Sequence, residues 1–256
     1  MCDLWVHTLE SGTPPGAIPE QIRAALADLP AAQRLKLYNA GSFFDPRAVP
    51  PSDHRAVAAL GAPFERVVVE SHPALVGDSC FAFQDLLGGR LEVAMGLETA
   101  HPEVLARLNK GMTLEDFRRA AGALGARGIA LRAFLLVGLP FLPRQDERAW
   151  TLASAAFAFD CGASTVSLIP TRSGNGALDA LAATGDFAAP DLATLEDCAG
   201  DALALGRGRV FADLWDLSGL ARCPACFDAR RSRLARQNLE QRPQPEVACP
   251  ACGGSA

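Results

Sequence analysis

The sequence predicts an α/β chain, an open and partial parallel βα barrel followed by a small zinc-ribbon-like tail. Three observations carry this. Short aliphatic runs recur every 25–40 residues with helical stretches between them, the pattern of parallel strands joined by right-handed crossovers. The repeats number five or six, too few for a complete eight-stranded barrel. Four of the eight cysteines fall in two Cys-x2-Cys pairs near the carboxy terminus. The expected division is therefore 1–215 for the barrel and 216–256 for the tail.

Expected strands are 34–39 (RLKLYN), 66–70 (RVVVE), 91–96 (LEVAMG), 129–137 (IALRAFLLV), 164–169 (STVSLI) and 208–213 (GRVFAD). Helical composition occupies 19–29, 52–61, 74–87, 113–127, 146–161 and 190–206. Thr113-Leu-Glu-Asp opens one helix with early acids, and Gly128 is placed to end it.

Composition sets outer bounds. Apolar residues make up 49% and charged residues 21%, which excludes a wholly disordered chain. A net charge of −5 provides no global basic field for nucleic acid. Asp3, His7 and Glu10 interrupt any apolar leader, and the longest apolar stretch, 129–142, is too short to span a bilayer. Cysteines in such a chain read as metal ligands and buried thiols, and a cytoplasmic location without a membrane partner is expected.

Cys223-Pro-Ala-Cys226 and Cys249-Pro-Ala-Cys252 are separated by 22 residues. Two such knuckles suit tetrahedral Zn2+, with an auxiliary iron–sulfur cluster as the rival, since four thiolates serve either. The spacer DARRSRLARQNLEQR is basic, and reads either as an RNA-facing segment or as a solvated helix. Cys80, Cys161 and Cys198 have no partner spacing and read as small hydrophobes. Arg132 lies in an otherwise apolar strand; a buried guanidinium suits a carboxylate, the rival being an arginine that snorkels to solvent.

Residues 36–50 (KLYNAGSFFDPRAVP), 66–73 (RVVVESHP), 91–99 (LEVAMGLET), 109–117 (NKGMTLEDF) and 134–140 (FLLVGLP) follow one another at βα spacing. Together they resemble a radical S-adenosylmethionine protein of the archaeosine-synthase radical-subunit type, related to the Elongator catalytic subunit. The resemblance implies a [4Fe–4S] cluster held by Cys-x3-Cys-x2-Cys, with Cys2 as the third cysteine. The first two cysteines and the first strand are then expected upstream of residue 1. A start codon assigned at an internal methionine is preferred over a paralogue that has lost the cluster.

The resemblance further implies that the cluster and S-adenosylmethionine generate a 5′-deoxyadenosyl radical for hydrogen abstraction, with an electron donor as partner. The substrate implied is a tRNA base, a modified base or a related small molecule. Cofactor contacts are expected at strand ends: Ala40, Gly41 and Ser42 at the methionyl amino group, Glu70 closing the next strand, Glu98 and Thr99 near the ribose, Arg132 on the methionyl carboxylate or an acidic substrate, and Pro140. No catalytic residue is assigned. The rival functions are an inactive barrel serving as scaffold or binding protein, and a zinc-ribbon nucleic-acid adaptor.

Overall fold

A computed structural model describes residues 8–39, 41–174 and 176–253. These residues divide into two compact units. The first comprises Glu115–Arg132 and the described part of Cys2–Gly96; the second comprises Leu97–Leu114 and the described part of Ala133–Ala256.

Six strands, β1 (Arg34–Leu37), β2 (Arg66–Glu70), β3 (Leu91–Glu98), β4 (Ala130–Val137), β5 (Thr165–Pro170) and β6 (Arg209–Ala212), form a sheet in which sequence order is spatial order. The pairings of β1 with β2, β2 with β3, and β5 with β6 are parallel. All six expected strands are present, and the open parallel α/β class is the one the sequence predicts. β2 and β3 read as nearly unbroken apolar runs because parallel strands are covered on both faces; Val67, Val68 and Val69 are fully buried.

The six expected helices form as α1 (Ala17–Asp28), α2 (His54–Gly61), α3 (Asp78–Leu86), α5 (Leu114–Ala126), α6 (Arg144–Asp160) and α8 (Leu192–Ala204). α5 ends as anticipated: Gly128 has φ 65°, its N–H reaches the Gly125 carbonyl at 3.0 Å, and the Ile129 N–H reaches the Leu124 carbonyl at 3.0 Å. That is a Schellman ending, which a β-carbon at residue 128 would strain. Two short helices were not anticipated, α4 (Pro102–Arg107) and α7 (Ala177–Ala183). Neither is long enough to show two turns of periodicity.

The spacer of the tail is α9 (Phe227–Glu240), and it is docked. Its Asn238 and Gln241, the residue just past its end, use side-chain amides as a neighbouring strand would use its backbone. Asn238 accepts from Ala212 N–H at 2.9 Å and donates to the Ala212 carbonyl at 2.8 Å. Gln241 does the same for Val210, at 2.8 and 2.9 Å. The free edge of β6 is thereby satisfied, which removes a template for unwanted pairing. No helix among the described residues is long and apolar enough to cross a membrane.

Candidate functional site

In the first unit, the turns after β1 and β2 are tied together. The Ser42 hydroxyl accepts the His72 N–H at 2.9 Å, and the Phe43 N–H donates to the Glu70 carbonyl at 2.8 Å. His72 is a satisfied loop histidine, its Nδ1 accepting from Ala74 N–H at 3.2 Å. Beside this turn opens a cleft of about 550 Å3 whose walls include Thr13, Ala17, Asn39, Gly41, Asp45 and Arg47. Among the described residues, the buried Asn39 Oδ1 has no hydrogen-bond partner. A buried acceptor left unmatched is costly, and an ammonium entering the cleft would match it. Cys2 and Ala40 lie outside the described residues.

Arg132 is neither solvent-seeking nor bare. Its Nε meets Glu92 Oε1 at 2.8 Å, both side chains are buried, and Arg34 lies 3.8 Å from the other Glu92 oxygen. The carboxylate that Arg132 requires is thus supplied within the chain by Glu92 of β3, and Arg132 is the third residue of β4 rather than a residue at its carboxy-terminal end. Tyr38 stands in the same field: burial pushes its phenol up to about 12, Arg132 pulls it down, and Glu92 and Glu70 raise it.

In the second unit, Glu98 ends β3 with φ 64° and is ion-paired to Lys110. Lys110 is placed by the Asn109–Gly111 turn, where both flanking residues also have positive φ. A glutamate in the left-handed region is a strained placement of the kind that collects at functional sites. Thr99 is fully buried, its hydroxyl 3.4 Å from that of Ser154 and accepting the His101 N–H at 3.1 Å. It shapes the loop from within.

The Gly138-Leu139-Pro140 turn after β4 is clamped from two sides. A β-carbon on Gly138, φ 81°, would lie 2.3 Å from Pro190 Cδ, so only glycine fits. Its N–H donates to the buried carboxylate of Glu147 in α6. Burial raises Glu147 to about 7, against a lowering pull from Arg144. Glu147 was not among the expected site residues. The available signal was a glutamate nine residues after Gly138, where α6 returns past the strand end.

The tail brings its four cysteines together. Cys223, Cys226, Cys249 and Cys252 place their sulfurs within 4.8 Å of one another, and Cys223 and Cys249 stand 3.9 Å apart. Ligands about 2.3 Å from a tetrahedral zinc lie about 3.8 Å apart. This spacing fits a single ion. Within α9, Arg230 and Arg233 turn inward to the buried Glu196 of α8, at 2.6 and 3.0 Å, whereas Arg231 and Arg236 are exposed.

No protein-family model matches the chain. It is 29% identical over 139 residues to archaeosine synthase subunit beta of Thermococcus kodakarensis, covering 51% of this chain and 43% of that protein. The chain spans about two-fifths of the length of the curated relatives it matches. Among solved structures it resembles Methanocaldococcus infernus Elp3 with an amino-terminal deletion, with a TM-score of 0.66 at 16% identity, over 90% of this chain and 62% of that one. It also resembles Escherichia coli coproporphyrinogen III oxidase, a radical SAM enzyme, with a TM-score of 0.51 at 14% identity, over 75% of this chain and 46% of that one. The chain therefore resembles the archaeosine synthase beta subunits in sequence and shares its fold with archaeal Elp3 and a radical SAM oxidase, as its strand-end motifs imply.

Proposed function

We propose that this chain carries the S-adenosylmethionine-binding core of a radical SAM enzyme that abstracts hydrogen from a tRNA base or a related modified base. The observation that supports the reading is the cleft walled by Asn39 and Gly41, with the buried Asn39 Oδ1 unmatched among the described residues, near the strand end where the resemblance expects the methionyl amino group. Asn39 would accept from that ammonium, and Gly41 would allow close backbone approach. Glu70 closes β2 and Glu98, held by Lys110, closes β3; the latter offers carboxylate oxygens to ribose hydroxyls. Glu147 holds the turn that carries Pro140, keeping that strand end fixed. When bound, the cluster and S-adenosylmethionine supply the radical, and an external one-electron donor reduces the cluster. Cys2 is the cluster ligand in this reading, and the tail holds one Zn2+ as a structural ion.

The test uses protein that carries the family's Cys-x3-Cys two residues ahead of Cys2, completing the cluster triad. Protein expressed with that segment, reconstituted anaerobically and reduced, should convert S-adenosylmethionine to 5′-deoxyadenosine. Asn39→Ala should raise KM for S-adenosylmethionine about tenfold, the scale of one lost hydrogen bond to a charged group. Absence of 5′-deoxyadenosine from protein with a full cluster would overturn the reading.

A further inference from the structure

The turn leaving β6 presents an aromatic surface that the cofactor reading does not use. Trp215 is 70% exposed, yet its position is fixed. Its N–H donates to Asp213 Oδ1 at 3.2 Å, and the next residue, Asp216, has φ 44° and accepts from the Ser218 hydroxyl at 3.2 Å. Arg172, two residues beyond β5, lies with its guanidinium carbon 5.0 Å from the Trp215 ring centroid. The same guanidinium is anchored to Asp213 at 3.1 Å and bonded to the Trp215 carbonyl.

A single exposed apolar side chain carries no meaning by itself. Here two orphaned polar atoms accompany it. Among the described residues, Thr171 Oγ1 and Arg172 Nε are buried and have no hydrogen-bond partner, Thr171 being only 8% exposed. Buried groups of this kind call for a partner. The cluster thus combines an open π face backed by a cation with two unmatched groups able to donate. It stands at the carboxy-terminal ends of two parallel strands, where ligands of βα folds gather. A flat heteroaromatic ring with acceptors on its edge matches all of these features.

We propose that Trp215, positioned by Arg172 and Asp213, is the stacking platform for a nucleobase of an RNA substrate, with Thr171 and Arg172 reading its edge. This deepens the proposed function and rests on its assignment of an RNA substrate.

The test is the affinity of the intact chain for a fluorescently labelled, unmodified tRNA transcript, measured by polarisation. Stacking on an aromatic side chain contributes about 1–3 kcal/mol per base, so Trp215→Ala should weaken binding about ten- to a hundredfold. Trp215→Phe, which keeps a smaller π face, should recover part of the loss. Because the indole is exposed, both variants should melt at the wild-type temperature. Binding by Trp215→Ala within twofold of wild type, or no binding by the wild type, would overturn the proposal. A parallel titration with S-adenosylmethionine separates the sources of a base. A variant that loses affinity for this cofactor while keeping tRNA affinity would assign the platform to the cofactor and equally overturn it. RNA affinity is read without turnover, so failure to form 5′-deoxyadenosine would strike the catalytic reading and leave this one standing.

Discussion

Two buried glutamates, one in each unit, solve the same electrostatic problem with different materials. Glu92 of β3 faces Arg132 at 2.8 Å and Arg34 at 3.8 Å, all three on strands of the first unit. Glu196 of α8 faces Arg230 and Arg233 at 2.6 and 3.0 Å, both on α9 of the tail. A buried carboxylate is tolerated only when paired, and in each case two arginines provide the pairing. The difference lies in what holds the arginines. Those of Glu92 are fixed by strands of the sheet itself. Those of Glu196 belong to a helix flanked by two cysteine knuckles whose four sulfurs could hold one ion. The same segment satisfies the edge of β6 through Asn238 and Gln241.

Removing the ion should separate the two cases most sharply. Structural zinc contributes on the order of 10 kcal/mol to the folding of small domains. Chelation, or Ala at Cys223, Cys226, Cys249 and Cys252, should therefore unfold 221–253 and expose the Val210 and Ala212 amides to hydrogen exchange. β1 and β2 should keep their protection. Metal analysis of protein purified without reconstitution should find one zinc per chain. Iron with a brown chromophore that the four-alanine variant loses would make the tail an auxiliary cluster.

The Glu92 pair should respond to mutation rather than to metal. Arg132→Ala leaves a buried carboxylate with a more distant partner, and removing one member of a buried pair costs about 3–5 kcal/mol. Urea unfolding should show this loss. Arg132→Met combined with Glu92→Met should recover most of it. If Arg132→Ala were neutral in stability yet weakened S-adenosylmethionine binding, its role would be the ligand contact that the strand pattern suggested.

Glu147 sharpens the comparison because its partner is a backbone N–H rather than an arginine. Its folded value of about 7 lies above that of an unfolded glutamate. The unfolded chain therefore releases this proton first as pH rises. Stability from the protonated form is complete below about pH 4.5 and declines as pH rises to 7, by about 3 kcal/mol in all. Glu147→Gln should flatten that decline in pH-dependent unfolding, whereas a parallel curve for wild type and variant would show the carboxyl to be charged throughout. The Gly138 turn should persist in the variant, since the amide oxygen still accepts its N–H.

Much of the architecture was written locally. The valines of β2, the acids opening α5 and the glycine closing it act within a few residues, so periodicity and turn chemistry expose them. The two CPAC knuckles were legible for the same reason, each being a complete local turn. The Asn109–Gly111 turn was legible as a motif, since it must bend the backbone between α4 and α5 whatever surrounds it.

The partners were not legible. In sequence, Glu92 sits in LEVAMG and Glu196 in TLEDC, with nothing nearby to show that each is buried against two arginines. Arg132 announced its need for a carboxylate but not that Glu92, 40 residues earlier, meets it. Asn238 and Gln241 look like ordinary polar residues near a helix end until β6 lies beside them. By itself the sequence determined the order of strands, the strand-end turns and the four-thiol tail, because sterics, hydrophobic period and short loops act over a few residues. Only the tertiary structure decided which buried charges meet, which edge is sealed and which indole stays exposed, because desolvation and pairing depend on neighbours that folding brings from far along the chain.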